Sequence, residues 1–318
     1  MKLVQTGWFA AVFLALVAGA QTAAAQDGTL VFTPQWTAQA QFAGYYVAEA
    51  KGFYREAGVD VVIDHPSSTQ PAMTRLRKNE CQATTLQLCQ ALEIIDSGIP
   101  LVNILQTSMN NGMVIVSARG VDPLTQKGAH VGIWSVGFGQ LAICMSIQER
   151  LDYEWIRFAQ DVNLFVAGAL DATLAMSYNE YFQLIQSGMQ ITEKNVYRFC
   201  DHGYNVQEDG VYMTRDYYEK HPDQARRFAE ASRRGWEWAA EHPAEALDIV
   251  MEYVDRENIA TNRVMQRLML EEILRLQVDR ESGQREFRLR PDMVQQASHL
   301  MAENMMLDHE VKYEELVP

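Results

Sequence analysis

Phe32-Thr-Pro-Gln-Trp-Thr-Ala-Gln-Ala-Gln-Phe-Ala-Gly-Tyr-Tyr-Val-Ala-Glu-Ala-Lys-Gly-Phe-Tyr54 is the stretch that decides the fold. It leaves a short apolar strand at 29–33, which Pro34 ends because proline has no N–H to give a sheet. It then enters a helix expected over 42–57, with Gly44 and Gly52 as its weak points. A β-branched strand follows at 59–64. Strand, loop, helix and strand form the first unit of an open α/β sheet. The loop carries Trp36 beside Thr37, Gln39 and Gln41. A core strand is not ordinarily followed by so many amides. Trp36 is therefore expected to be partly exposed and to stack on a flat solute. Tyr45 is expected as the second aromatic wall, with Tyr46 and Tyr54 pointing inward.

The same alternation continues along the chain. Helices are predicted at 70–78 and 88–97, the second closed by Gly98, and strands at 83–87, 101–106 and 113–117. The turn-rich segment 119–125 interrupts the pattern, which then restarts. Strands are predicted at 130–134, 154–158, 172–176 and 196–200, with helices at 140–150 and 178–187. A strand at 211–214 leads back, and from Tyr217 onward the chain is mostly helical. The expectation is two α/β lobes, 26–117 and 118–210. Residues 211–318 return to the first lobe and cover it with helices. The halves are not close repeats of each other.

Residues 1–25 differ from the rest. Lys2 is their only charge, Trp8 to Ala20 is apolar, and Ala23-Ala-Ala25 supplies small residues for cleavage. This is the pattern of a signal peptide, with Gln26 as the new N-terminus. An apolar run of about a dozen residues is too short for a membrane core that needs about 20. No cysteine follows the cleavage site to take a lipid. The mature protein is thus expected to be exported, with a periplasm as its compartment. A net charge of −14 and the lack of any Lys/Arg cluster argue against nucleic acid as a partner. Cys81, Cys89, Cys144 and Cys200 remain, and export permits disulfides. Four cysteines allow three complete pairings, so both buried thiols and a disulfide stay open. No C-x-x-C occurs, and His202 near Cys200 lacks further ligand spacing, so no metal site is expected. The chain carries no G-x-S-x-G, H-E-x-x-H or P-loop.

Two further segments carry candidate binding groups. Ser135-Val-Gly-Phe-Gly139 joins a strand to a helix, at the strand end where open α/β sheets place ligands. Ser135, Gly137, Phe138 and Gly139 are expected to offer backbone donors there, although an ordinary tight turn would have the same composition. Met176-Ser-Tyr-Asn-Glu-Tyr181 follows another strand. Tyr178 offers a ring, and Asn179 and Glu180 offer groups that hydrogen-bond an amino-substituted solute. Asn and Glu are also ordinary helix-start residues.

Gln35-Trp36 through Gly52-Phe53-Tyr54, continuing into Gly58-Val-Asp-Val61, resembles the opening of a known family. That family unites thiamine-pyrimidine synthases with the solute-binding proteins of pyrimidine-precursor importers. Asp171 to Tyr181 resembles its second-lobe segment, and Val131 to Gly139 its glycine loop. The likeness runs from about residue 29 to about residue 250 and is shared with relatives that bind riboflavin or sulfonates. It implies the two-lobed periplasmic-binding-protein fold (type II), each lobe an open sheet flanked by helices. It also implies a monomer without a cofactor, serving an ABC permease and ATPase and closing around a flat heteroaromatic solute. The synthase branch carries a lysine and a histidine four apart where this chain has Thr85-Leu-Gln-Leu-Cys-Gln90. Its cysteine-dense run is reduced here to Phe199-Cys-Asp-His-Gly-Tyr-Asn-Val206, and its early histidine is replaced within Gln41-Phe42. The resemblance therefore points to a binding protein. A synthase using pyridoxal phosphate and a sensor partner that presents its ligand are the alternatives.

Overall fold

The computed structural model describes residues 28–318, apart from 68, 119, 121, 136, 160 and 161. The expected signal segment lies outside the described residues. The strands in chain order are β1 (Leu30–Thr33), β2 (Val61–Ile63), β3 (Ala83–Gln87), β4 (Leu101–Gln106) and β5 (Met113–Ser117). They continue as β6 (His130–Trp134), β7 (Glu154–Phe158), β8 (Ala172–Met176), β9 (Val196–Arg198) and β10 (Asp209–Thr214). The helices are α1 (Ala43–Ala50), α2 (Phe53–Glu56), α3 (Ala72–Arg77), α4 (Leu88–Asp96), α5 (Gln140–Gln148) and α6 (Asn163–Val166). After them come α7 (Glu180–Gln186), α8 (Arg215–Lys220), α9 (Pro222–Glu241), α10 (Pro243–Arg256), α11 (Arg263–Leu276) and α12 (Pro291–Glu303).

Two five-stranded sheets result, ordered β2-β1-β3-β10-β4 and β7-β6-β8-β5-β9. In each, four strands run in one direction, and one strand entering from the other half lies between two of them, antiparallel to both. The expected boundary at 118 falls too late. Residues 113–117 pair with β8 and β9 in the second sheet, so the chain crosses between Gln106 and Met113. The run Met-Val-Ile-Val-Ser is buried along its whole length. A strand buried on both faces carries no sequence mark of which sheet it joins. The return crossing lies between Arg198 and Asp209, close to its expected place.

The predicted helix over 42–57 is two helices. It breaks at Gly52, whose φ of +77° is left-handed and turns the chain at little steric cost. The opening residues of the helix expected at 178–187 form a loop, and α7 begins at Glu180. Cys81, Cys89 and Cys144 are buried free thiols and Cys200 is a partly exposed one, which settles the pairing question in favour of thiols.

Helix α1 packs against α9 through two glycines. A Cβ on Gly235 would stand 2.0 Å from the Gly44 carbonyl oxygen, and one on Gly44 would enter the Trp236 ring. The backbones approach this closely only because neither residue has a side chain. Trp236 lies over Gly44 and meets Tyr45 edge to face, with centroids 5.7 Å apart. The other side of α1 is fixed through His65. Its Nδ1 donates to the Trp36 carbonyl at 2.7 Å, and its Nε2 lies 2.7 Å from the Tyr46 hydroxyl. A carbonyl only accepts, so Nδ1 holds the proton and Nε2 accepts from Tyr46. Tyr46 in turn stacks on Tyr253 at 3.9 Å. Burial, the largest influence, draws the His65 imidazole down to about 4.

Two outcomes test these contacts. Gly235→Ala should lower the unfolding free energy by about 1–3 kcal/mol through overpacking, seen as a lower urea midpoint. A raised midpoint would mean that helix propensity outweighs the clash. His65 binds a proton in the unfolded chain below about 6.5 but in the folded chain only below about 4. Its contribution is therefore complete above pH 6.5 and is lost as pH falls towards 4, by roughly 3 kcal/mol. Asp209 shifts upward to about 6 and acts in the opposite sense. The difference between the native chain and His65→Asn across pH 4–6.5 isolates the histidine, and parallel curves would refute its role.

Candidate ligand-binding cleft

The carboxyl ends of β1 and β3 face those of β6 and β8, and a narrow cleft lies between them. Each lobe supplies rings. Trp36 comes from the loop after β1, Trp134 from the end of β6, Phe138 from the loop after it, and Tyr178 from the loop after β8. Trp36 meets Phe138 across the lobes with centroids 5.7 Å apart at 65°. Phe138 also meets Trp134 edge to face at 6.3 Å.

The polar lining is mainly amide. Gln35, Gln39, Gln41 and Gln87 come from the first lobe, and Asn179 and Glu180 from the second. The glutamines form a chain that ends on a buried acid. Gln39 Nε2 donates to Gln41 Oε1 at 2.6 Å, and Gln41 Nε2 donates to Asp209 Oδ2 at 2.6 Å. Gln35 Nε2 donates to the other oxygen, Oδ1, at 2.8 Å. Burial pushes the Asp209 carboxyl up to about 6, and the two amide bonds act against that rise. Gln35 Oε1 is buried and accepts from no described group.

On the second lobe the residues are more fully engaged. Glu180 Oε1 accepts from Trp134 Nε1 at 3.2 Å and from Asn179 Nδ2 at 3.1 Å, and Oε2 accepts from the Met176 N–H at 2.9 Å. Asn179 Oδ1 accepts from Gln183 at 2.9 Å. Burial raises the Glu180 carboxyl above its ordinary range, and the bonds from Met176, Trp134 and Asn179 oppose it. Glu180 thus fixes the Trp134 indole and the turn into α7, as well as lining the cleft.

The structure brings together five of the nine expected residues, Trp36, Phe138, Tyr178, Asn179 and Glu180. Tyr45 is not among them. Its ring is 1% exposed, packed between Phe32 at 4.6 Å and Trp236. The helix turns that face of α1 toward α9, so the second ring wall is Phe138. Ser135 stands at the outer mouth of the cleft, and its N–H is already given to the Phe158 carbonyl at 2.9 Å. Gly137 is exposed, and its carbonyl accepts from Gln140 at 2.8 Å. Gly139 is buried because Ile133 occupies the space of a Cβ, 2.2 Å away. The expected backbone donors of Ser135, Gly137 and Gly139 therefore do not line the inner cleft. Gln35, Gln39, Gln41, Gln87, Trp134 and Met176 do, and were not singled out as ligand contacts. The amides beside Trp36 were the available signal, but they served only as evidence for its exposure.

Several of the solved structures that this chain resembles are named as binding proteins. The alkanesulfonate-binding protein SsuA from Xanthomonas axonopodis pv. citri bound to MOPS superposes with a TM-score of 0.67 over 93% of this chain and 99% of its own, at 12% identity. A ligand-binding component of an ABC-type import system from Staphylococcus aureus gives 0.67 over 91% and 97%, at 9% identity. At such identities the likeness shows the fold alone, the two-lobed type II architecture of periplasmic binding proteins. Among curated sequences, the riboflavin-binding protein RibY of Chloroflexus aurantiacus is 25% identical over 248 residues, covering 74% of this chain and 68% of its own. The formylaminopyrimidine-binding protein of Halalkalibacterium halodurans is 25% identical over 261 residues, covering 76% and 77%. Residues 39–246, well over half of the chain, match the family model described as NMT1/THI5 like. The chain is a member of the NMT1/THI5-like family.

Proposed function

We propose that this protein is the exported solute-binding component of an ABC-type importer. It holds a flat heteroaromatic, a pyrimidine precursor of the thiamine type, between its lobes and releases it unchanged to a permease in the membrane. One observation carries this reading. Trp36 and Phe138, one from each lobe, meet across a cleft whose remaining lining is largely amide. Ring faces take up a flat apolar surface, and amides read the donors and acceptors around its edge. Rings from both lobes reach the solute together only when the lobes close, which couples binding to hinge motion. Relatives named for riboflavin and formylaminopyrimidine support a heteroaromatic solute. The described lining offers no lysine, histidine, cysteine or serine to act as a nucleophile or to hold an aldehyde cofactor. The leader-like residues 1–25 support export, with a periplasm as the compartment.

Calorimetry with a panel of pyrimidines, flavins and sulfonates tests the assignment. A pyrimidine is expected to bind at micromolar or tighter concentration. Failure of every pyrimidine at millimolar concentration would remove that ligand class. Trp36→Ala should weaken binding about ten-fold or more, on the order of 1.4 kcal/mol, with an unchanged melting temperature. Tyr45→Phe, by contrast, should leave affinity unaltered, and any loss there would return Tyr45 to the site.

A further inference from the structure

Gln41 and Tyr178 also line a second, narrow chamber behind the cleft, walled by Glu208, Asp209, Trp236 and Gln277. Its polar groups are buried and incompletely paired. Glu208 is 4% exposed; Oε2 accepts from the Gly112 N–H at 2.9 Å, while Oε1 has no partner among the described residues. Gln277 is 2% exposed, and neither its Oε1 nor its Nε2 is paired. Each Asp209 oxygen takes one glutamine N–H, which leaves further lone pairs open. A buried polar group left unpaired is costly, and several of them around one space call for a common partner.

The balance of donors and acceptors identifies that partner's chemistry. Glu208 Oε1, Gln277 Oε1 and the Asp209 carboxylate accept, while Gln277 Nε2 and the unpaired Trp236 Nε1 donate. No arginine or lysine lines the chamber. A carboxylate or phosphate would face two buried acids. A methyl group would satisfy nothing, and a hydroxyl brings a single donor. An ammonium or amidinium brings two or three donors and a compensating charge.

We infer that the solute carries a short cationic arm, a protonated amine or amidine, which passes Gln41 and Tyr178 and is held between Glu208, Asp209 and Gln277. This rests on the proposed function, since the arm needs a ring seated in the outer cleft. It adds a subsite and a charge requirement to that function. The ring faces set which ring is held, and the inner acids set which substituent it bears.

Calorimetry of the full mature chain at neutral pH with two matched probes is the test: 4-aminopyrimidine carrying a 5-aminomethyl arm, and its 5-methyl counterpart. The aminomethyl probe is expected to bind about ten-fold tighter or more, which corresponds to 1.4 kcal/mol. Glu208→Gln should bring the two affinities together. Equal affinities in the native chain, or tighter binding of the methyl probe, would show that the chamber holds only water; the proposed function would stand. Persistence of the preference in Glu208→Gln would equally overturn the assignment. If neither probe nor any other heteroaromatic binds, the reading of the whole cleft falls instead. Should Glu208→Gln fail to fold, the native ratio still decides, and Gln277→Leu supplies the mutational arm, with a reduced ratio expected.

Discussion

Asp209 is a buried carboxylate held by the amides of Gln35 and Gln41. Much of the cleft follows from that arrangement. Asp209 opens β10 opposite Gln87, the last residue of β3, so it sits at the rim of the first sheet where the chain returns from the second lobe. Removing a carboxylate from water is costly unless donors replace the lost hydration. Both donors come from the segment after β1, so that segment must lie across the strand ends. Trp36 stands between them and is carried to the cleft wall. The His65 bond to its carbonyl fixes the same turn from the other side. Neutral amides rather than a lysine or arginine leave the Asp209 oxygens with capacity for another donor.

The neighbouring residue extends this constraint to the hinge. Glu208 accepts from the Gly112 N–H, joining the return crossing to the outward one. Asn111 N donates to Asn205 Oδ1 at 2.9 Å, and Thr107 N donates to the Asp209 carbonyl at 2.9 Å, so the two ribbons are laced together along their length. Away from the hinge the lobes touch through few polar groups. Gln140 Nε2 donates to Glu93 at 2.7 Å, and Ser177 Oγ donates to Glu272 at 2.6 Å. Opening the cleft would exchange these bonds for bonds to water at small net cost. The hinge ribbons, by contrast, bond chiefly to each other. A firmly bonded hinge with lightly bonded lips fits the proposed closing on a solute and its later release.

Local chemistry made much of this legible. Pro34 ended a strand, Gly98 ended a helix, and β-branched runs marked most of the strands within a residue or two. The resemblance carried by Gln35-Trp36 through Tyr54 led to the right family and fold. The errors have a common origin. Residues 113–117 look the same whichever sheet they join, because a fully buried strand is apolar on both faces. Tyr45 and Trp36 are both large aromatics near a strand end. Only the packing of α9 over Gly44 shows that one is core and the other cleft wall. The glycines of 135–139 suggested anion-binding amides, yet Gly139 is there to make room for Ile133.

The sequence by itself determined the alternation of strands and helices, the two-lobed class, the acidic surface charge and the segment that would carry Trp36. These depend on short-range preferences and on composition, which a linear reading contains. Only the tertiary structure decided which ring opposes Trp36, which glutamines face the cleft, and that Glu208, Asp209 and Gln277 converge behind it. Those residues lie as far apart in sequence as Gln35 and Gln277. Their proximity is set by sheet order, by the glycine crossing of α1 and α9, and by the burial of one carboxylate, none of which leaves a local mark on the chain.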